Sequence, residues 1–221
     1  MKITKALILI GVCGTAAALI FPIFSKHEPQ KTVPTHNQEP VQISREQVEE
    51  FRKLDSIYCI NYGRKDAPVK IIEFFSFQCP HCVRLFREDF GNIKEELIDT
   101  GKVHFEFHPV PQDLPTVQAM ICFEQLEENE KCLFLEVMFE EATPSDPELM
   151  STLMMTAMNV FKKPLDKLKD HQFLQDHHVF EAIYPFLKQE KIFAVPTVEI
   201  NGRLFSKEIP TYQFIKSFIE D

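Results

Sequence analysis

The stretch Val69-Lys70-Ile71-Ile72-Glu73-Phe74-Phe75-Ser76-Phe77-Gln78-Cys79-Pro80-His81-Cys82 decides how the chain is read. Val69 to Phe77 is an apolar run of strand length, and the C-x-x-C of Cys79 to Cys82 follows it at what reads as a strand-to-helix junction. At such a junction the first sulfur sits where unpaired backbone N–H groups and the positive end of the helix dipole stabilise a thiolate. The thiolate is the nucleophile of disulfide exchange. Cys79 is therefore expected to be exposed and to attack or be attacked, forming a mixed disulfide that Cys82, one turn inside, resolves.

Downstream, Val83, Leu85, Phe86, Phe90, Ile93 and Leu97 continue a helical pattern to Gly101, and Val103 to Phe107 alternates as a strand. The long block that follows carries no strand pattern. Four helices are expected there, Val117 to Leu126, Cys132 to Glu140, Glu148 to Phe161 and Leu165 to Lys188. Strand pattern returns at Thr197 to Ile200, Asn201-Gly202 supplies a tight hairpin turn, Leu204-Phe205 follows, and Thr211 to Glu220 forms a closing amphipathic helix. The predicted order is β-α-β, helices, β-β-α.

Upstream, Gly63 to Asp66 reads as a turn. Ser44 caps a helix with Gln47 three residues on, and Val48, Phe51, Leu54 and Ile57 recur on its apolar face. Residues 26–43 are rich in proline and polar groups and too poor in apolar ones to pack, which predicts a mobile linker. Residues 1–25 read as an export signal, with Lys2 and Lys5 ahead of the uncharged Ala6 to Ser25. That segment approaches the roughly twenty residues that span a bilayer, so a cleaved peptide and an uncleaved anchor are both open. Cys13 raises lipidation, against which stands Val12, bulkier than the small residue a lipoprotein signal prefers. The division is thus a signal peptide or anchor at 1–25, a linker at 26–43, and one α/β domain at 44–221 with a helical insertion at about 112–190. The place implied is the periplasm or extracytoplasmic space, free or tethered to the inner membrane by an uncleaved segment.

Composition fits a globular protein, with 44% apolar and 26% charged residues. The 33 acidic against 24 basic residues leave a net charge of −9, which argues against a nucleic-acid partner.

Several separate motifs stand in order: Glu73-Phe74-Phe75-Ser76-Phe77, Cys79-Pro80-His81-Cys82, an all-helical block, and Val195-Pro196 ahead of a hairpin ending Asn-Gly. Over residues 57–221 the chain resembles the DsbA-like thiol:disulfide oxidoreductases. The resemblance implies a thioredoxin fold split by a helical insertion, with Pro196 in the cis form beside the active-site sulfurs. It also implies that the family's buried acid, which can shuttle protons to the inner cysteine, is Glu73 here. Val195 and Pro196 offer backbone groups to an extended substrate segment. The implied activity is that of an exported oxidase working through a redox-active Cys79–Cys82 disulfide and no other cofactor. Its partners would be reduced or unfolded exported proteins and a quinone-linked membrane protein that recharges it. Two departures stand out: Lys191, Ile192, Phe193 and Ala194 occupy a loop where the family often has small glycines, and Phe86 replaces an acid found in the type member.

Pro80 and His81 carry the argument for an oxidase, since a neighbouring imidazole can lower the first thiol's pKa. A stabilised thiolate favours the dithiol and makes the disulfide a stronger oxidant. The plainer alternatives are a solvent-exposed bystander at His81 and a partly solvated strand-end carboxylate at Glu73. An isomerase or reductase would use the same site, but isomerases of this superfamily bring a dimerisation domain, and residues 26–56 are too short and polar to make one. A monomer is expected. A soft-metal carrier would draw on the C-x-x-C and on Met150, Met154, Met155 and Met158. No second C-x-x-C exists, and methionines at helical spacing fill cores, so no metal ligand is expected. His177-His178 reads as exposed helix surface. Of the other cysteines, Cys59 reads as a small buried hydrophobe. Cys122 and Cys132 can pair between two helices if their Cα atoms lie roughly 4.4 to 6.8 Å apart.

Overall fold

In the computed structural model, which describes residues 56–141, 143–179, 188, 192–206 and 210–219, the apolar run before the cysteines is the middle strand of a five-stranded sheet. This strand, β2 (Val69–Phe75), pairs in parallel with β3 (Val103–Pro109) and antiparallel with β4 (Thr197–Ile200). β1 (Ile60–Tyr62) lies outside β3, and β5 (Arg203–Phe205) lies outside β4. A strand packed on both faces needs apolar side chains in both phases, which accounts for Ile71-Ile72 and Phe74-Phe75.

Parallel pairing of β2 with β3 requires a crossover. A helical stretch provides it, running through α1 (Pro80–Arg84), a π-helical segment Leu85–Phe90, α2 (Gly91–Ile93) and a second π-helical segment Lys94–Ile98. Between β3 and β4 come α3 (Leu114–Phe123), α4 (Glu128–Glu141), α5 (Pro147–Val160) and α6 (His171–Gln175). After β5 comes α7 (Tyr212–Lys216). Local chemistry sets these starts. Asp113, Asp146, Asp170 and Thr211 each accept the amide of the third helical residue, and α3 and α5 carry proline in the first turn. Asn201 and Gly202 adopt φ of 47° and 82°, the left-handed pair that a two-residue hairpin needs. The frame is the expected thioredoxin fold with its helical insertion.

Two expectations are corrected. β1 was not anticipated, because three residues show no periodicity, and the strand exists through its pairing of Ile60 with Phe107 and Tyr62 with Phe105. The single helix expected over 165–188 is not continuous. Turns occupy 166–169, and Asp170 then caps the short α6. The signal or anchor, the linker and nearly all of the helix at 44–57 lie outside the described residues. Among those described, no helix is long and apolar enough to cross a membrane.

The insertion is fastened to the sheet by aromatic packing. Phe139 of α4 stacks on Phe86 with centroids 4.8 Å apart and meets Phe77 at 4.9 Å and Phe75 at 5.2 Å. Phe86 also stacks on Phe90 at 5.0 Å. The position that carries an acid in the type member is therefore a core position here, and an acid would be buried among rings. A buried polar link holds the insertion together: Ser151 Oγ donates to Gln118 Oε1 at 2.7 Å, and Gln118 Nε2 donates to the Leu168 carbonyl at 2.6 Å. Met150, Met154 and Met158 are fully buried on α5 as core filling.

Candidate active site

Cys79 is the N-cap of α1, with extended backbone angles of −83° and 111°, and its Sγ accepts the backbone N–H of Cys82 at 3.3 Å. Pro80 takes the first helical position, where a missing N–H costs nothing. The turn leading to the sulfur is held from the insertion. Thr116 Oγ1 accepts the Phe77 amide at 3.0 Å, Ser76 Oγ accepts the Gln78 amide at 3.1 Å, and Ser76 Oγ donates to Asp113. Asp113 also caps α3 through Thr116 N at 2.9 Å. One carboxylate thus ties the start of the helical insertion to the loop that carries the nucleophile.

Cys79 is more enclosed than expected, at 8% exposure, because its sulfur lies on the wall of a cleft of about 430 Å³. Pro80, His81, Gln112, Asp113 and Val195 line the same cleft. Cys82 is fully buried. The Val195–Pro196 bond is cis, and Thr197 Oγ1 donates to the Ala194 carbonyl at 2.8 Å to close that loop. Phe193, in the loop where glycines were missing, is 77% exposed.

The two sulfurs are set apart electrostatically. A hydrogen bond from the Cys82 thiol, with help from the backbone amides of Cys82 and His81, brings the Cys79 thiol down to about 7. Partial burial and the charge of Asp113 oppose that shift. Burial pushes the Cys82 thiol well up, reinforced by its hydrogen bond to Cys79 and by the charges of Glu73 and Cys79. The His81 amide is one of the groups that bear on Cys79. The His81 side chain is exposed, and its backbone amide bears on the Cys79 sulfur beside the imidazole tuning expected from the sequence.

Glu73 is fully buried in β2, opposite Phe107 of β3 and Val198 of β4. Among the described residues neither carboxylate oxygen has a hydrogen bond of ordinary geometry, and the Cys82 thiol bears on it. Burial, then the charge of Cys79, push its carboxyl well above the usual range, which favours the protonated form next to the inner cysteine. The reading of Glu73 as a solvated strand-end carboxylate fails on this burial.

The Cys122–Cys132 bridge is not formed, and both are free thiols. Cys122 is packed fully inside the core, whereas the Cys132 Sγ points to the Asn61 carbonyl of β1 at 3.7 Å. Ser76, Gln112, Asp113 and Thr116 were not found from sequence. Asp113-Leu114-Pro115 does read as a helix start, but only the fold brings it to Cys79.

Asp113→Asn tests that contact. Asparagine caps a helix as well as aspartate does, so α3 should persist while a negative charge beside Cys79 is lost. The Cys79 pKa, read from thiolate absorbance, should fall and the reduction potential should rise, by no more than roughly 30 mV. A fall in potential would contradict the assignment.

A family model described as Thioredoxin matches residues 55–221. The probable disulfide bond formation protein D of Bacillus anthracis is 27% identical over 72% of this chain and 75% of its own. Oxidised BdbD from Bacillus subtilis is 25% identical, with a TM-score of 0.56 over 72% of this chain and 90% of that one. DsbA of Chlamydia trachomatis, at 20% identity, shares the fold with a TM-score of 0.54 over 72% and 87% of the two chains.

Proposed function

The chain belongs to the thioredoxin family as a DsbA-like thiol:disulfide oxidoreductase, and from that premise we propose that it donates its Cys79–Cys82 disulfide to reduced exported proteins outside the cytoplasm. The observation that carries this reading is the asymmetry of the pair, a helix-capping Cys79 with a lowered pKa against a buried Cys82 with a raised one. A client thiolate attacks Cys79 Sγ and breaks the bond to Cys82, giving a mixed disulfide. The Cys82 sulfur leaves into an apolar site and takes a proton, for which the neutral Glu73 is placed. The client's second thiolate then attacks its own sulfur in the mixed disulfide and expels the Cys79 thiolate onto the Cys82 amide. Two electrons pass from the client dithiol to the enzyme, which ends as a dithiol. A leaving thiol with a pKa near ambient pH suits that last step.

Val195 lines the same cleft as Cys79, which supports the reading that it meets an extended client segment. Recharging requires an external oxidant, and by family resemblance a quinone-linked membrane protein fills that role for a monomeric enzyme.

The test is the reduction potential of Cys79/Cys82 against glutathione. A donor of disulfides should lie well above the roughly −270 mV of thioredoxin, and a value at or below it would make the protein a reductase. His81→Ala should make the enzyme less oxidising by no more than roughly 30 mV, because the amide that faces Cys79 is retained. A loss several times larger would restore the imidazole as the tuning group.

A further inference from the structure

Glu124, the C-cap of α3, meets two imidazoles that follow α6. His178 Nε2 lies 3.1 Å from Glu124 Oε1, and His177 Nε2 lies 3.5 Å from Glu124 Oε2. The two rings are stacked at 4.4 Å, and one donor atom from each of the three residues falls within 4.8 Å of the others. His177 is not the exposed surface residue its sequence suggested, since its side chain is only 11% exposed. We propose that Glu124, His177 and His178 bind a divalent transition ion of the zinc class, in addition to the redox site.

The spacing fits. Zinc bonds of about 2.0 to 2.1 Å in tetrahedral geometry put neighbouring donors roughly 3.3 to 3.4 Å apart, and the two Glu–His separations, each to a different oxygen of the carboxylate, bracket that value. Two imidazoles and one carboxylate are a borderline donor set, suited to zinc and its neighbours rather than to calcium, magnesium or copper(I). The carboxylate has a further buried partner, Tyr58, whose hydroxyl also lies 3.3 Å from His178 Nε2. Tyr58, itself fully buried, donates its hydroxyl to Glu124 Oε1 at 2.5 Å, the outer contact that ligating carboxylates characteristically have. Nδ1 of His177 is buried with no hydrogen bond among the described residues, so the ring engages polar groups through Nε2 alone. Access exists through a cleft of about 440 Å³ lined by Lys167, Asp170, Asp176 and both imidazoles, and the His178 side chain is 55% exposed. Three protein donors leave a position open to water or a further ligand. Such an ion would fasten the segment after α6 to α3. The expectation of no metal ligand rested on C-x-x-C and methionine spacing and on reading His177-His178 as exposed helix surface, which the enclosure of His177 does not match.

The experiment uses the full chain with Cys79 and Cys82 oxidised, so that neither sulfur can ligate, titrated with zinc and separately with cobalt(II). One equivalent of zinc should bind, raising the melting temperature, and cobalt should give the visible absorption of a tetrahedral site. Glu124→Gln and His178→Ala should each weaken binding at least tenfold, and Tyr58→Phe by a factor of about 10 to 100. If Glu124→Gln does not fold, His178→Ala, at an exposed side chain, decides alone. Zinc bound equally by wild type and His178→Ala, or no stoichiometric zinc in the wild type, would overturn the proposal.

Discussion

Cys79→Ser should abolish dithiol oxidation, a loss on the order of 10³-fold or more, the scale seen when an enzyme's nucleophile is deleted. The serine oxygen can still accept the Cys82 amide that now meets Sγ at 3.3 Å, so the helix cap survives and the protein should fold. What disappears is the only sulfur of the pair that reaches the cleft, because Cys82 is fully buried behind it. Cys82→Ser should behave differently. Cys79 remains accessible and can attack a client disulfide, but the mixed disulfide can no longer be opened from within, so covalent complexes should accumulate on a non-reducing gel and vanish with reductant. Full oxidase activity in Cys79→Ser would sink the mechanism. Trapping by Cys79→Ser rather than Cys82→Ser would exchange the roles of the two sulfurs.

The placement of the two sulfurs was legible in the sequence because local chemistry writes it there. A strand run into C-P-H-C fixes which sulfur caps the helix, and Asn201-Gly202 fixes a hairpin after the cis proline. What stayed hidden depends on packing. The three residues of β1 become a strand only opposite β3, and Phe86 becomes a core residue only when Phe139 arrives from the insertion. Asp113 reads as an ordinary helix cap until the fold lays it beside Ser76 and Cys79. His81 carries a second contribution that the sequence did not show. The imidazole marks the position in the sequence, while the Cys82 thiol and backbone amides that any residue there would supply also bear on the sulfur. Glu124, His177 and His178 are drawn from the end of one helix and the tail of another, with no spacing to mark them.

Glu73→Leu should make the protein more stable and less active, with both effects tied to one proton. Burial raises the native carboxyl well above the usual range, whereas in the unfolded chain it loses its proton near about 4.3. Between those two values the native state binds more protons than the unfolded state, so stability falls as pH rises, by up to about 1.4 kcal/mol per pH unit from this group. The stabilising share is fully present below the unfolded pKa and is lost on the way up to the native one. Leucine carries no proton and shows no such slope. Urea unfolding of wild type and Glu73→Leu at pH 5, 6, 7 and 8, with the disulfide formed so that neither thiol titrates, should therefore show a difference that widens with pH in favour of leucine. The same substitution removes the acid that meets the departing Cys82 sulfur, and loss of a positioned proton donor typically costs a factor on the order of 10² to 10⁴. Client oxidation should slow accordingly while the Cys79 thiolate titration keeps its form. A stability difference that stays flat from pH 5 to 8 would mean that Glu73 is ionised in the native protein. In that case it could not protonate Cys82, and the proton would have to come from the cleft side, past Cys79.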